Sequence, residues 1–445
     1  MLNFRNEYLA LSWPLIGQSL LHITMQHIDL MMIGQIGTAS VAAIGLVNSF
    51  FFVFFMFFIA LGFGVFTLMT QLFGDKDFES LGSLTGSALL IGFVVGCSLW
   101  AIFVKLLNVF LIIWKVEPDV FAKAQFYAQA LGPGLPFLAC IVILESALRS
   151  AGFTRQELSV KVFGLIVNFV LNWILIFGLF TVPALGEYGA GLATSITRIV
   201  IFLMLFYLFA RNLKPIEMPW TSIFRFDKNL WLKVFQFSCI LILQDILWST
   251  AILAYSRAFS EMGTDVLAVY NVAYLMDRLA DAFCMGFTIA AGIQIGRDLG
   301  QSKFKRAWIR TQLIIKLCLI RSIWIIIFLL LLSPIILWFY PFNWEQQQLY
   351  WSMFLIHAVI YPIKMLGMIL LVGVLRSGGD YFIAAIIELG GMYFYSVPMV
   401  LVSALIFRWN PVYVFMILSS EWILKTILLW KRFNQKISLK RLLQN

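Results

Sequence analysis

The sequence "LRSAG" at residues 148–152 returns as "LRSGG" at residues 375–379. Four weaker matches show almost the same offset between the two halves of the chain: "GT" at 37–38 with 263–264, Gln18 with Gln244, Ala42 with Ala268, and Gly74 with Gly300. Such a near-constant offset, in a chain of 445 residues, indicates an internal duplication. The chain is therefore expected to fold as two similar halves.

The composition of the chain is that of a membrane protein. It is 62% hydrophobic and 12% charged, with a mean hydropathy of +0.92, whereas soluble domains are about half apolar and about a quarter charged. Apolar runs of about 18 residues or more recur, and each is long enough to cross a bilayer. No alternating pattern typical of a β-barrel is present. The sequence therefore predicts an all-α membrane protein.

Twelve transmembrane helices are predicted, six in each half. The predicted spans lie near 8–34, 44–73, 81–110, 121–148, 158–181, 189–211, 231–258, 266–296, 306–340, 348–375, 382–407 and 411–430. Of the 32 Lys and Arg, 21 belong to the N-terminal segment, the even-numbered loops and the tail, five fall outside these regions, and six lie within spans. This bias predicts that both termini are cytoplasmic. It also explains the net charge of +10 without a nucleic-acid partner.

The predicted domains follow from the duplication. Residues 1–211 form an N-terminal six-helix lobe, 212–229 a cytoplasmic linker, 230–432 a C-terminal six-helix lobe, and 433–445 a basic tail. Because six is an even number, both lobes start on the same side of the membrane and form a parallel pseudo-twofold repeat. Transporters use such lobes to rock around a central site.

The stretch "MQHIDLMMIG" at 25–34 places Asp29 inside an apolar helix. An isolated carboxylate is costly there, so it can take up and release a proton near neutral pH. Asn168 and Asn172 lie four residues apart, on one face of the fifth span, where their amides could hydrogen-bond Asp29. For His22 and His27 we expect local hydrogen bonding rather than a metal site. The five cysteines show no CxxC pair and are expected to be buried hydrophobes.

Several further stretches resemble the multidrug and toxic compound extrusion (MATE) family. They are "LSWPLIGQSLLHITMQHIDLMMIGQIGTASVAAIG" at 11–45, "ALRSAGFTR" at 147–155, "NFVLNWILIFG" at 168–178 and "GEYGAGLATSITR" at 186–198. The resemblance implies an antiporter that exports cationic, amphipathic organic molecules in exchange for protons or sodium by alternating access. It implies a location in the bacterial inner membrane. It implies no cofactor, and the coupling ion is the one ion required. A monomer is expected, with small-molecule cationic substrates and the lipid bilayer as its partners.

The resemblance also implies roles for individual residues. Asp29 matches the helix-1 aspartate that is the protonation site of the N-terminal lobe in several members. Pro14 matches a proline at which helix 1 bends, and a proline lacks the amide donor that an unbent helix uses. Some members carry an acid where this chain has Asn172, which puts a two-carboxylate site in doubt. Tyr127 joins the same network by resemblance alone.

The second half carries its own set of ionisable residues within predicted spans. They are Asp245, Asp277, Arg278, Asp281, Lys364 and Glu388. Buried charges in a bilayer should pair or line water, so an ion pair of Lys364 with Asp281 or Asp245 is predicted. The sodium-type branch of the family carries an acid where this chain has Lys364. An ammonium there disfavours a sodium site of that design and favours coupling to protons in the first lobe.

Two other functions remain as alternatives. A lipid-linked oligosaccharide flippase of the same superfamily would need several cations for a pyrophosphate, and Lys364, Arg278 and Arg321 keep that alternative open. A membrane-embedded enzyme is disfavoured, since no HExxH motif and no water-exposed domain are present. Arg149 and Arg376 lie at equivalent cytoplasmic turns and are expected to lock helix ends.

Overall fold

The computed structural model describes residues 2–179, 183–216, 218–435 and 442. Over these ranges the chain forms helices and no strand. The helices of the first half are α1 (Leu2–Gly34), α2 (Thr38–Asp75), α3 (Phe78–Ile113), α4 (Pro118–Leu131), α5 (Leu135–Ser150), α6 (Thr154–Phe177) and α7 (Gly186–Ile216). Those of the second half are α8 (Lys228–Glu261), α9 (Thr264–Gly300), α10 (Phe304–Trp338), α11 (Trp344–Met368), α12 (Tyr381–Gly390), α13 (Val397–Leu401) and α14 (Pro411–Asn434).

Eleven helical segments in the described ranges are long and apolar enough to cross a membrane. One of them joins α4 and α5 through a short 3-10 turn, Gly132–Gly134, and another contains α12 and α13. The 33-residue α1 is a further long helix and contains Pro14. The prediction of an all-helical membrane protein is therefore confirmed.

Local sequence signals explain where the helices begin and end. The Asp77 side chain accepts a hydrogen bond from the Ser80 backbone amide at 3.0 Å and so caps α3. Asn343 and Gln346 form a reciprocal capping box at the start of α11. At the other end of a helix, Gly178 has a φ of 76° and terminates α6, because a side chain rarely tolerates that conformation.

The described part of the second half contains three π-helical stretches, at Ile369–Arg376, Gly391–Ser396 and Val402–Ile406. A π-helical turn holds one more residue than an α-helical turn. The first of these stretches continues α11 to the second copy of the repeated sequence. Its counterpart in the first half, from α4 to α5, is instead interrupted by a tight 3-10 turn.

The described chain separates into two compact units. The first unit is Leu20–Ile242, and the second is Met1–Ser19 together with Leu243–Asn445. A cluster of apolar side chains that includes Phe54, Phe58 and Phe103 forms a core in the first unit. In the second unit α9 packs tightly on α1, since a Cβ added to Gly286 would lie 2.7 Å from the backbone nitrogen of Ile16.

Candidate functional site

Asp29 forms a hydrogen-bonded group with two asparagines of the first unit. The Asn172 amide nitrogen donates to Asp29 Oδ1 at 2.7 Å and to Asn168 Oδ1 at 3.2 Å. Both asparagines are 1% exposed, and they share one face of α6, as their spacing predicts. The structure thus brings Asp29, Asn168 and Asn172 together.

This group has spare hydrogen-bonding capacity. Asn168 Nδ2 and Asn172 Oδ1 are both buried and have no hydrogen-bond partner among the described residues. Buried polar atoms without partners are costly, so such a pair marks a place where a proton or a small polar group can be accommodated. Asp29 is the ionisable member of the group. The chemistry open to this arrangement is reversible binding of a proton or another cation.

Tyr127 stands beside this group without a hydrogen bond to Asp29. Its hydroxyl donates to Asn48 Oδ1 at 3.3 Å, and it lies near enough to Asp29 to interact with it electrostatically. Asn48 was not singled out from the sequence. The available signal was a lone amide at the start of the very apolar stretch in α2, where a polar side chain needs a partner.

Arg198 on α7 also belongs to this region, and the sequence analysis assigned it no role. Its guanidinium carbon lies 4.9 Å from the centre of the Phe51 ring. It interacts electrostatically with both Asp29 and Tyr127. The signal that could have found it is an arginine in the interior of a predicted span, where a cation is expensive.

The remaining predicted residues of this region lie apart from the hydrogen-bonded group. The His22 ring stacks on Phe55, with centroids 5.5 Å apart. The side chain of His27 lies outside the described residues. Pro14 lies inside α1, in the part of that helix that belongs to the second unit.

The second unit contains an ion cluster centred on Lys364. The ammonium lies 2.7 Å from Asp277 Oδ1 and 2.8 Å from Asp281 Oδ1, and the lysine side chain is 7% exposed. His357 Nδ1 lies 3.1 Å from the same oxygen of Asp277. Lys364 therefore pairs with both Asp277 and Asp281 of α9. His357 was missed from the sequence, although it precedes Lys364 by two helical turns on α11.

Two more of the predicted residues of the second half, Asp245 and Glu388, form a separate group. Glu388 accepts hydrogen bonds from Gln244 and, at 3.3 Å, from Arg376 Nη2. Asp245 interacts electrostatically with Arg376 and Glu388. It is not among the partners of Lys364 in the described chain. Five of the six predicted ionisable residues of this half are thus divided between two places.

Arg149 joins α5 to α6 in a largely buried ion network of the first unit. It pairs with Glu157 at 2.6 Å and Glu145 at 2.8 Å, and Lys161 pairs with Glu145 at 2.9 Å. The positive and negative charges of these four groups balance. The part of the chain that the structure describes holds no cluster of three or more His, Cys, Asp or Glu suited to a metal ion.

The sequence model of the MatE family matches residues 14–174 and 241–402. Among similar proteins, the probable multidrug resistance protein YoeA of Bacillus subtilis is 26% identical over 66% of this chain and 64% of its own length. The probable multidrug resistance protein NorM of Agrobacterium fabrum is 26% identical over 67% of this chain and 64% of its own length. The multidrug resistance protein NorM of Aliivibrio fischeri is 24% identical over 84% and 81%. The matches to the first two relatives thus span less than two thirds of their length.

Solved structures resemble the whole chain in fold. A multidrug resistance MATE family transporter of the MOP superfamily, in an outward-facing conformation, superposes with a TM-score of 0.85 at 17% identity and covers 97% of this chain and 96% of its own. A MOP superfamily transporter from Pyrococcus furiosus superposes with a TM-score of 0.86, at the same identity and coverage. The likeness bears out the predicted helical fold in two lobes.

Proposed function

Because this chain belongs to the MatE family, we propose that it is a membrane antiporter that exports organic cations and amphipathic compounds in exchange for protons. It is a multi-pass membrane protein, and its relatives are transporters, not enzymes. The observation that carries the proposal is the hydrogen bond of 2.7 Å between Asn172 and Asp29 within membrane helices. It gives a carboxylate inside the helix bundle the donor that an ionised state needs and leaves it free to take up a proton.

The substrate class follows from the relatives and from the composition of the chain. Three relatives are named for multidrug resistance. The chain carries 43 Phe, 15 Trp and 17 Met, whose side chains suit bulky cations through dispersion and cation–π contacts. An anionic Asp29 adds charge selectivity. Cationic organic compounds with large apolar surfaces are therefore the proposed substrates.

The ion cluster of the second unit supports protons over sodium as the coupling ion. The Lys364 ammonium lies between the carboxylates of Asp277 and Asp281, at 2.7 and 2.8 Å. These oxygens are the ligands that a sodium ion would use, and a tethered ammonium already occupies the position between them. Coupling is therefore proposed at Asp29.

The same cluster weakens the flippase alternative. A lipid pyrophosphate needs cations that are free to pair with it. Lys364 is instead held by two carboxylates, which compensate its charge. Among the residues that kept the alternative open, Arg278 and Arg321 remain, and they lie on different helices, α9 and α10.

The orientation in the membrane is proposed from the positive residues. The bias of Lys and Arg toward the N-terminal segment, the even-numbered loops and the tail places both termini in the cytoplasm. The bacterial relatives support the inner membrane as the location. Each lobe would contribute six helices, 1–211 and 230–432, and the protein would act as a monomer.

The test is transport of tetraphenylphosphonium in proteoliposomes, under a proton gradient and, separately, a sodium gradient. Asp29→Asn keeps the size of the side chain but cannot be protonated, so proton-driven export is expected to fall by at least about a hundredfold. The matched control is Asp265→Asn, which neutralises an exposed aspartate in the first turn of α9. Proton-coupled export by Asp29→Asn, or export by the wild type under sodium alone, would refute the proposal.

A further inference from the structure

Arg198 carries a positive charge in the interior of the first unit. Its Nη1 is buried and has no hydrogen-bond partner among the described residues, and its guanidinium lies over the Phe51 ring. A cation inside the membrane is costly unless a carboxylate lies near enough to compensate it. In the described chain, Asp29 is the carboxylate whose charge reaches Arg198, and the two side chains form no direct ion pair.

The internal repeat shows how the same cation is compensated in the other half. Arg198 corresponds to Lys425, at the offset of the repeated "LRSAG" and "LRSGG" sequences, and Lys425 is 2% exposed. Lys425 forms an ion pair with Glu421, one turn earlier on α14. Both halves thus keep an interior cation at one position of their last long helix. In the second half its partner is an acid on the same helix.

In the first half that acid is replaced, and another acid appears. The position equivalent to Glu421 is Thr194, which cannot ionise. The position equivalent to Asp29 is Tyr255, whose hydroxyl donates to Glu421 at 2.9 Å. The negative charge therefore lies on the last helix in the second half and on α1 in the first. Asp29 takes the place of Glu421 as the acid that compensates the interior cation.

We propose that Arg198 is the fixed counter-cation of Asp29 and that it expels the organic cation when Asp29 takes up a proton. This inference rests on the proposed function and deepens it. While Asp29 is ionised, the pair is neutral, and an organic cation can approach the carboxylate. Once Asp29 is protonated, Arg198 leaves a net positive charge that repels the cation. Proton uptake thus turns a neutral site into one that repels the substrate.

The groups that face Asp29 from the packed helices are consistent with this assignment. Arg198 on α7 is the cation, and Tyr127 on α4 is a neutral phenol at ordinary pH. Asn172 on α6 supplies the hydrogen bond. The neighbouring residues of α2, Asn48 and Phe51, are uncharged. The net charge around Asp29 therefore depends on whether Asp29 carries a proton.

The experiment is equilibrium binding of tetraphenylphosphonium to the purified full chain in nanodiscs, on the acid and the alkaline side of neutrality. Arg198→Gln removes the repelling charge, so affinity on the acid side is expected to be about tenfold higher than in the wild type. Proton-driven export should slow, because the cation is no longer expelled. Arg198→Lys keeps the charge and should behave like the wild type. Arg211→Gln, an exposed arginine on the same helix, is the matched control.

Two results would overturn the role of Arg198. One is wild-type affinity on the acid side in folded Arg198→Gln, and the other is equal damage by Arg198→Lys and Arg198→Gln. If Arg198→Gln does not fold, Arg198→Met gives the same readout, since its apolar chain can still cover Phe51. Failure of the proposed function has a different signature, namely proton-coupled export that survives Asp29→Asn. Loss of coupling in Asp29→Asn with unchanged binding by Arg198→Gln would refute this inference alone.

Discussion

Asp29 and its repeat equivalent, Tyr255, have different partners, so the proposed proton chemistry belongs to one half of the duplicated fold. Asp29 accepts a hydrogen bond from Asn172, whereas Tyr255 donates one to Glu421, which also pairs with Lys425. A carboxylate that is already paired with an ammonium has little reason to take up a proton. Asp29 is hydrogen-bonded by a neutral amide and has no direct ion pair with Arg198, so it can be neutral or ionised. The difference between the halves thus lies in a few side chains within a common backbone.

Asn172→Ala tests the hydrogen bond to Asp29. A hydrogen bond to a charged group is worth about 1.5–3 kcal/mol, so its loss should lower proton-driven export by about tenfold or more. The measurement is the initial rate of tetraphenylphosphonium export in proteoliposomes. Gln125→Ala is the control, because it removes another amide hydrogen bond of the first unit, at 2.9 Å to Asn108. An unchanged rate for Asn172→Ala would contradict the assignment.

At the scale of helices, the repeat explains where the two halves differ in backbone. The repeated sequences that begin at residues 148 and 375 are 227 residues apart. The helices that precede them begin at Pro118 and Trp344, which are 226 residues apart. One position has therefore been gained within a helix rather than in a loop. The second half holds it in the π-helical Ile369–Arg376, and the first half has a tight 3-10 turn instead. The sequence contains this shift, but its structural form could not be predicted from spacing alone.

Pro14→Ala tests whether α1 needs a weak point. The substitution restores a backbone donor inside the helix, so stability is expected to increase by up to about 3 kcal/mol. Export should slow, because a stiffer α1 resists bending between the two states. Melting temperature and initial export rate are the measurements. Pro334→Ala on α10 is the matched control, with a gain in stability and an unchanged rate. Faster or unchanged export by Pro14→Ala would contradict the role of α1.

At the scale of the whole molecule, the sequence predicted the features that depend on hydropathy and repetition. The helical class and the membrane location follow from the composition, and Asn168 and Asn172 follow from helical periodicity. Arg198, Asn48 and His357 were missed because each gains its meaning from a neighbour on another helix. Helix-to-helix pairing leaves no periodic trace in one sequence. The division into lobes at 1–211 and 230–432 stays a prediction.

The coupling ion is a property of the whole molecule, and Lys364→Ala tests it. The variant leaves Asp277 and Asp281 without their ammonium, so a sodium ion can bind in its place. Sodium should then raise the melting temperature relative to choline, with about 2.7 kcal/mol of stabilisation at a hundred times the dissociation constant. The wild type should show no such effect. Lys316→Ala, at an exposed lysine of the second unit, is the control. A triple variant that adds Asp277→Asn and Asp281→Asn to Lys364→Ala should lose the sodium effect. Stabilisation of the wild type by sodium to the same degree would show that the ammonium does not fill the site and would favour sodium coupling.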